Sequence, residues 1–241
     1  MDKETQQRID LAAAFRLCAK LGLHEAVANH FSAAVSDDGR YFLLNPKWVH
    51  FSQIRASDLI LLDAQQPDCF DQSQIDATAW AIHGQIHRLR PEVQVIMHLH
   101  PIFATTLSCL QQPEIIPIEQ NSARYFQRVA YDMHYSGMAD QQAEGQRLAK
   151  RLGNKQRLMM GNHGVMVCSD QIGVAFDDMY TLERACQIVV QAYATGQALN
   201  RLSDAVAEKT AQDWEGIRDF SQAHFEQMKA ILIKEDPSFM D

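Results

Sequence analysis

The segment Gln94-Val95-Ile96-Met97-His98-Leu99-His100-Pro101 constrains this chain more than any other. An apolar run ends in two histidines and a proline, the pattern of a buried strand followed by a helix with Pro101 at its first position. Alternate residues of a strand share a face. His98 and His100 therefore aim at one point, with Leu99 turned the other way into packing. Two imidazoles converging at a strand end are half of a metal site; equally, they describe two hydrogen-bonded histidines at a sheet rim. A third ligand further along decides between these readings.

Gly161-Asn162-His163-Gly164 offers one, set between the apolar runs Leu158-Met159-Met160 and Val165-Met166-Val167. Glycine on both sides lets the backbone turn tightly and leaves the imidazole of His163 unobstructed. Three imidazole ligands and an open position describe a catalytic rather than a structural zinc site.

Charge and cysteine usage narrow the partners and the compartment. With 30 acidic against 22 basic residues the net charge is -8, which argues against nucleic acid and against an anionic membrane surface. No apolar stretch approaches the roughly 18 residues of a membrane span, and Met1 to Thr5 is too polar to direct export. Cys18, Cys69, Cys109, Cys168 and Cys186 are odd in number, scattered and without a Cys-x-x-Cys spacing. They suit reduced thiols in a cytoplasmic protein better than a disulfide framework or a zinc knuckle.

Taken in order, Gln6 to Leu21 carries apolar residues at helical spacing, with Gly22 as its stop. Phe31, Ala33 and Val35 alternate as on a strand, and Asp37-Asp38-Gly39 turns the chain back into Tyr41-Phe42-Leu43-Leu44 as a hairpin. Leu59 to Leu62 reads as a strand and Gln65-Gln66-Pro67-Asp68 as a polar loop. Asp76 is placed to cap a helix running to Leu89. Strands are expected at Ile115 to Ile118 and at Val129 to Tyr131, and a helix at Ala143 to Leu152 closed by Gly153. Long helices follow over Val174 to about Asn200 and Trp214 to Lys234, and Pro237 opens a short tail. Alternating helices and short strands, with no linker or repeat, indicate one α/β domain over 1–241 with a helical extension from about 203. The early hairpin argues against a purely parallel sheet.

The combination of Met97-His98-Leu99-His100-Pro101 with Gly161-Asn162-His163-Gly164-Val165 resembles the class II aldolase/adducin family. The likeness extends to Asn29-His30-Phe31-Ser32, to Trp80-Ala81-Ile82-His83 with Arg90-Pro91-Glu92-Val93, to Leu182-Glu183-Arg184-Ala185-Cys186, and to Asp236-Pro237-Ser238-Phe239. It implies a three-layer α/β/α sandwich around a mixed, largely antiparallel sheet. It also implies a divalent metal, zinc above all, held by His98, His100 and His163, a small anionic substrate, and a homotetramer with active sites at subunit contacts. Family chemistry includes aldol cleavage, epimerisation, dehydration and decarboxylation; adducin is a cytoskeletal member without a catalytic role.

Against that pattern, Ala79 stands where the aldolases carry their acid/base glutamate, and Arg124 where the epimerase carries an aspartate. Alanine can neither move a proton nor touch a metal. Asp76, one helical turn away, is a weak substitute. Dehydratase-type members use a glutamate after the metal strand, and Glu119 in Ile118-Glu119-Gln120-Asn121 is placed similarly. Glu119 is read as the acid/base, or else as a surface or helix-capping residue. Asn29 matches the family's phosphate-binding asparagine, whereas the turn Asn45-Pro46-Lys47-Trp48 lacks its glycine, and Thr78 falls within its serine pair. Asn29, Lys47, Thr78 and Arg124 are the candidate substrate-binding residues; Lys47 and Arg124 also suit solvated surface cations. His83 and His87, one helical turn apart, are read as packing rather than as a metal pair, and His30 and His134 as isolated. Tyr131, Tyr135, Trp214, Phe220 and Phe225 are candidates for subunit contacts. Two functions follow: a metal-dependent lyase for a small oxo or hydroxy acid or a sugar phosphate, or an adducin-like binding or scaffold protein.

Overall fold

The structure, a computed structural model, describes residues 2–66 and 71–241. Met1, Cys69 and the Pro67-Asp68 half of the expected polar loop lie outside the described residues. The elements run α1 (Lys3–Lys20), β1 (His30–Ala34), β2 (Tyr41–Leu44), β3 (Ile60–Asp63), α2 (Ala77–Leu89), β4 (Val95–Leu99), α3 (Ile102–Ser108), α4 (Gln120–Ala123), β5 (Val129–Asp132), α5 (Gln142–Leu152), β6 (Arg157–Met160), β7 (Gly164–Ser169), α6 (Ile172–Ala194), α7 (Asp204–Glu215) and α8 (Arg218–Glu235). The strands form one sheet in the order β3-β2-β1-β4-β7-β6-β5. Its pairs are antiparallel except β5 with β6. The sheet is thus mixed and largely antiparallel, between two helical layers.

Side-chain alternation on the central strand β4 sorts the two faces. Val95, Met97 and Leu99 enter one core with Leu11, Phe15 and Leu17 of α1 and with Phe176 and Leu182 of α6. Phe15 stacks on Phe31 at 4.5 Å and meets Phe51 edge-on at 4.6 Å, so truncating Phe15 costs about 3–5 kcal/mol. Ile96 faces the opposite layer, with Ile82 and Ile86 of α2 and Leu148 of α5. His98 shares the Ile96 face, and on β1 so do His30 and Ser32, because Phe31 and Ala33 belong to the first core.

Local chemistry fixes the element ends. The Asp76 carboxylate accepts from the Thr78 and Ala79 N–H groups and starts α2. Gly153, at φ 58, closes α5. Pro101 caps α3 from outside instead of occupying its first position. Ile115 to Ile118 forms no strand. Pro113 and Pro117 lack N–H donors, the Ile115 N–H goes to the Tyr131 hydroxyl, and the isoleucines pack into the core unpaired. The helix expected to reach Asn200 stops at Ala194, before Gly196 at φ 67. The helix expected over Trp214 to Lys234 is two helices, α7 capped by the Ser203 hydroxyl and α8 starting after Gly216-Ile217. Phe225 and Tyr131 pack into this chain's own core, while Tyr135 and Phe220 stay exposed. Cys18, Cys168 and Cys186 are buried free thiols and Cys109 is exposed. Among the described residues no helix is long and apolar enough to cross a membrane.

Candidate metal centre

β4 delivers His98 and, one step beyond its end, His100; the β6–β7 turn delivers His163. One ring nitrogen from each lies within 4.8 Å of the other two. His98 Nδ1–H donates to the Val165 carbonyl at 3.0 Å, and His100 Nδ1–H to Glu25 Oε2 at 2.6 Å. Both rings are thereby turned so that their Nε2 atoms face each other, 3.0 Å apart. Ligand imidazoles are oriented in just this way, through the nitrogen that does not meet the metal.

Burial keeps His98 and His163 neutral. It pushes His98 well below its usual value, with the neighbouring imidazoles of His100, His30 and His163 adding to the effect. Burial, then His100, brings His163 down to about 4. A neutral imidazole is the metal-binding form, so these two rings are ready at neutral pH without releasing protons.

The glycines beside His163 act differently from the sequence expectation. The left-handed turn falls on Asn162, at φ 55, and neither glycine has positive φ. Gly164 is needed for close approach: a Cβ there would lie 2.5 Å from His100 Cδ2 and 2.6 Å from the Leu99 carbonyl oxygen. A side chain at this position would push His100 off its line.

The three histidines line a cleft of about 380 Å³. Asn29, Lys47, Thr78 and Ala79 line it too, with His30, Trp48, Asp76, Tyr135 and Met138. Asn29 Oδ1 accepts from the Glu25 N–H, while its buried Nδ2 has no protein partner. Lys47 Nζ donates to the Gln72 carbonyl at 3.2 Å, and Thr78 Oγ1 to Asp76 Oδ1 at 2.5 Å.

Two expected members stand apart. Glu119 is the N-cap of α4: its carboxylate accepts from the Asn121 N–H at 2.7 Å and the Ser122 N–H at 2.5 Å. It does not line the cleft, and its place at the start of α4 fits the helix-capping alternative read for it from the sequence. Arg124, likewise, does not line this cleft. It is buried, pairs with Asp177 at 2.9 Å and Asp178 at 3.5 Å, and ties the chain after α4 to α6. Ala79 lines the cleft as expected and brings no titratable group.

His30 is not isolated. Its Nδ1 lies 2.8 Å from His83 Nε2; His83 Nδ1 lies 2.6 Å from Ser32 Oγ, and the same hydroxyl 2.8 Å from His87 Nε2. His30 Nε2 reaches Thr78 Oγ1 at 3.4 Å, and its ring sits 4.8 Å from that of His98. His83 and His87 are packed and hydrogen-bonded, without a metal-pair arrangement. Burial drives His30 and His87 down to about 3 and His83 well below its usual value. The signal was present in the sequence: His30 and Ser32 are two apart on a strand, His83 and His87 four apart on a helix.

Comparison with known proteins agrees with this geometry. The model of the class II aldolase and adducin N-terminal domain matches residues 9–190. A Pseudomonas aeruginosa protein provisionally named aldolase class 2 protein PA3430 is 34% identical over 81% of this chain and 75% of its own length. Decarboxylase NovR of Streptomyces niveus is 27% identical over 77% of this chain and 69% of its own, and human beta-adducin 28% over 83% and 28%. The crystal structure of an aldolase II superfamily protein from Pseudomonas syringae superposes with a TM-score of 0.90 at 29% identity, covering 100% of this chain and 97% of its own. L-fuculose 1-phosphate aldolase from Glaciozyma antarctica gives 0.83 at 25%, covering 97% and 92%. With the family model spanning most of the chain and the same fold in both structures, the chain belongs to the class II aldolase and adducin family.

Proposed function

We propose that this protein is a divalent-metal-dependent lyase acting on a small oxo or hydroxy acid or a sugar phosphate, and that decarboxylation is the reaction its cleft suits best. The observation that carries the proposal is the convergence of His98, His100 and His163, two of them oriented from behind by the Val165 carbonyl and Glu25. Three imidazoles suit zinc. A divalent ion held there supplies a Lewis acid that stabilises negative charge on a carbonyl oxygen.

The missing carboxylate discriminates among reactions. Retro-aldol cleavage needs a base to take the hydroxyl proton, and dehydration a base for a C–H proton. Ala79 provides none, and the Glu119 oxygens are held by backbone donors. Decarboxylation of a carboxylate β to a carbonyl needs no base to begin. The C–C bond breaks, its electron pair moves toward the carbonyl oxygen, CO2 leaves, and a proton is added to carbon afterwards. The Asn29 amide and Lys47 meet the substrate's anionic oxygens and Thr78 orients them. The relationship to a protein named a decarboxylase and the similarity to a fuculose-phosphate aldolase both support a lyase. We further propose a cytoplasmic homotetramer, for which a stable monomer in light scattering at micromolar concentration is the refuting result. The second reading, an adducin-like scaffold, is favoured by Ala79 and by the relationship to human beta-adducin.

The test combines metal analysis with turnover. Purified protein is expected to carry about one zinc per chain, lost in His98→Ala and His163→Ala. Zinc-loaded protein is expected to release CO2 from oxaloacetate, whose leaving carboxylate is β to its carbonyl, and both variants to fall to the background of free zinc. Wild-type metal content in both variants refutes the three-histidine centre. Full occupancy with no turnover of oxo acids supports the scaffold.

A further inference from the structure

We propose, resting on the lyase reading above, that the substrate is a 2-oxo acid whose carbon next to the carbonyl carries the leaving carboxylate and an aromatic or large apolar substituent, the substituent seated on Trp48 and Met138, rather than a sugar phosphate. The argument starts from the supply of positive charge. Lys47 is the one Lys or Arg lining the cleft among the described residues. Its ammonium already donates to the Gln72 carbonyl and lies over the Trp48 ring at 4.2 Å. A phosphate dianion is ordinarily met by several backbone N–H groups or by an arginine fork. The chain's arginine cluster, Arg124, Arg128, Arg157 and Arg218, lines a different cavity, where each is paired with an aspartate or glutamate.

The floor of the cleft does fit a carboxylate or a carbonyl oxygen. Asn29 is 6% exposed and its Nδ2 is an unpartnered buried donor, a costly state unless an acceptor arrives. The positive φ of Asn29, 75, and the Glu25 N–H on its Oδ1 fix that amide in place beside the histidines.

The mouth has the opposite character. Trp48 is 71% and Met138 81% exposed, and Tyr135 and Val27 are exposed beside them on the same cleft. Contiguous exposed apolar side chains mark a binding surface. Trp48 also sits at φ 63, a conformation that glycine takes freely and an L residue only at a cost. That the turn carries an indole there, projecting to solvent, is accounted for by what the indole contacts when the cleft fills. A polar, metal-facing floor under an apolar mouth matches an acid whose oxygens go down and whose ring stays up.

The experiment is calorimetric titration of zinc-loaded protein with phenylpyruvate, pyruvate and dihydroxyacetone phosphate. Phenylpyruvate is expected to bind about 10- to 100-fold tighter than either of the others, the range for burying one aromatic group. Trp48→Ala and, separately, Met138→Ala are expected to bring the phenylpyruvate-to-pyruvate ratio toward one. Tightest binding of dihydroxyacetone phosphate overturns the proposal, as does an unchanged ratio in both variants. A fall in molar mass of Trp48→Ala by light scattering also overturns it, because the rim is then a contact between copies. Zinc content measured on the same samples separates the two readings. Protein without zinc defeats the lyase reading, while the ratio in that protein still decides the apolar seat.

Discussion

Acidifying the metal-free protein from pH 7.5 to 5.0 removes a part of its stability that the buried histidines fix. Burial holds His30 and His87 at about 3 and His83 well below its usual value. In the unfolded chain each titrates near 6.5. Between the folded and unfolded values the unfolded chain binds more protons, so stability is whole above pH 6.5 and falls as pH drops through that window. At pH 5.0 the solution is about 1.5 pH units below the unfolded value, roughly 2 kcal/mol per imidazole at about 1.4 kcal/mol per unit. His30 and His87 give about 4 kcal/mol, against a total of about 5–15 kcal/mol for an ordinary domain, and His83 adds to the loss in the same direction. Urea unfolding followed by circular dichroism, with a chelator present, measures the loss as a shift in ΔG between the two pH values. The double variant His83→Asn/His87→Asn starts less stable but loses at least about 2 kcal/mol less on acidification, the share of His87 alone. A wild-type loss under about 1 kcal/mol, or the same loss in both proteins, would refute the assignment of buried neutral imidazoles.

Three further outcomes are expected. Glu25→Gln weakens zinc binding about 10- to 100-fold in chelator competition, because the carboxylate that orients His100 is gone; unchanged affinity would remove Glu25 from the site. Gly164→Ala loses metal and about 1–3 kcal/mol of stability, since its Cβ meets backbone at Leu99 as well as the His100 ring; normal zinc content in that variant would show that the ring can yield. Glu119→Ala costs about 1 kcal/mol by removing the α4 cap and leaves zinc content and turnover unchanged; a large fall in turnover with normal stability would restore Glu119 to the chemistry.

Where one local rule decides, the sequence was readable. Strand alternation placed His98 and His100 together with Leu99 in the core, and the cap at Asp76 set the start of α2. Ile115 to Ile118 has the composition of a strand, but pairing depends on donors that Pro113 and Pro117 lack. Glu119 and Arg124 have the chemistry of site residues, and only the fold shows their charges already engaged, by an N-terminal helical turn and by Asp177. His30 was missed because no single residue announces a network. It takes the pairing of β1 with β4, which sets His30 opposite His98, together with α2 laid over that face. The left-handed Trp48 was illegible for a similar reason, since it depends on how the turn after Asn45 meets the cleft.

The histidine centre is assembled from chain segments far apart: 67 residues separate His98 from the Val165 carbonyl that holds its ring, and 75 separate Glu25 from His100. His98 and His100 lie two residues apart, but the groups that orient their rings come from elsewhere in the chain. A partly folded or truncated chain therefore has no native-like seat for an ion, and β1, β4 and β7 must come into register first. Such non-local pairing is slow. The proposed ion, arriving afterwards, would act on the unfolding side, adding about 2.7 kcal/mol when free metal exceeds the dissociation constant 100-fold. Under the metal-dependent reading, metal supply would then bear on how long each finished molecule survives more than on how fast it is made.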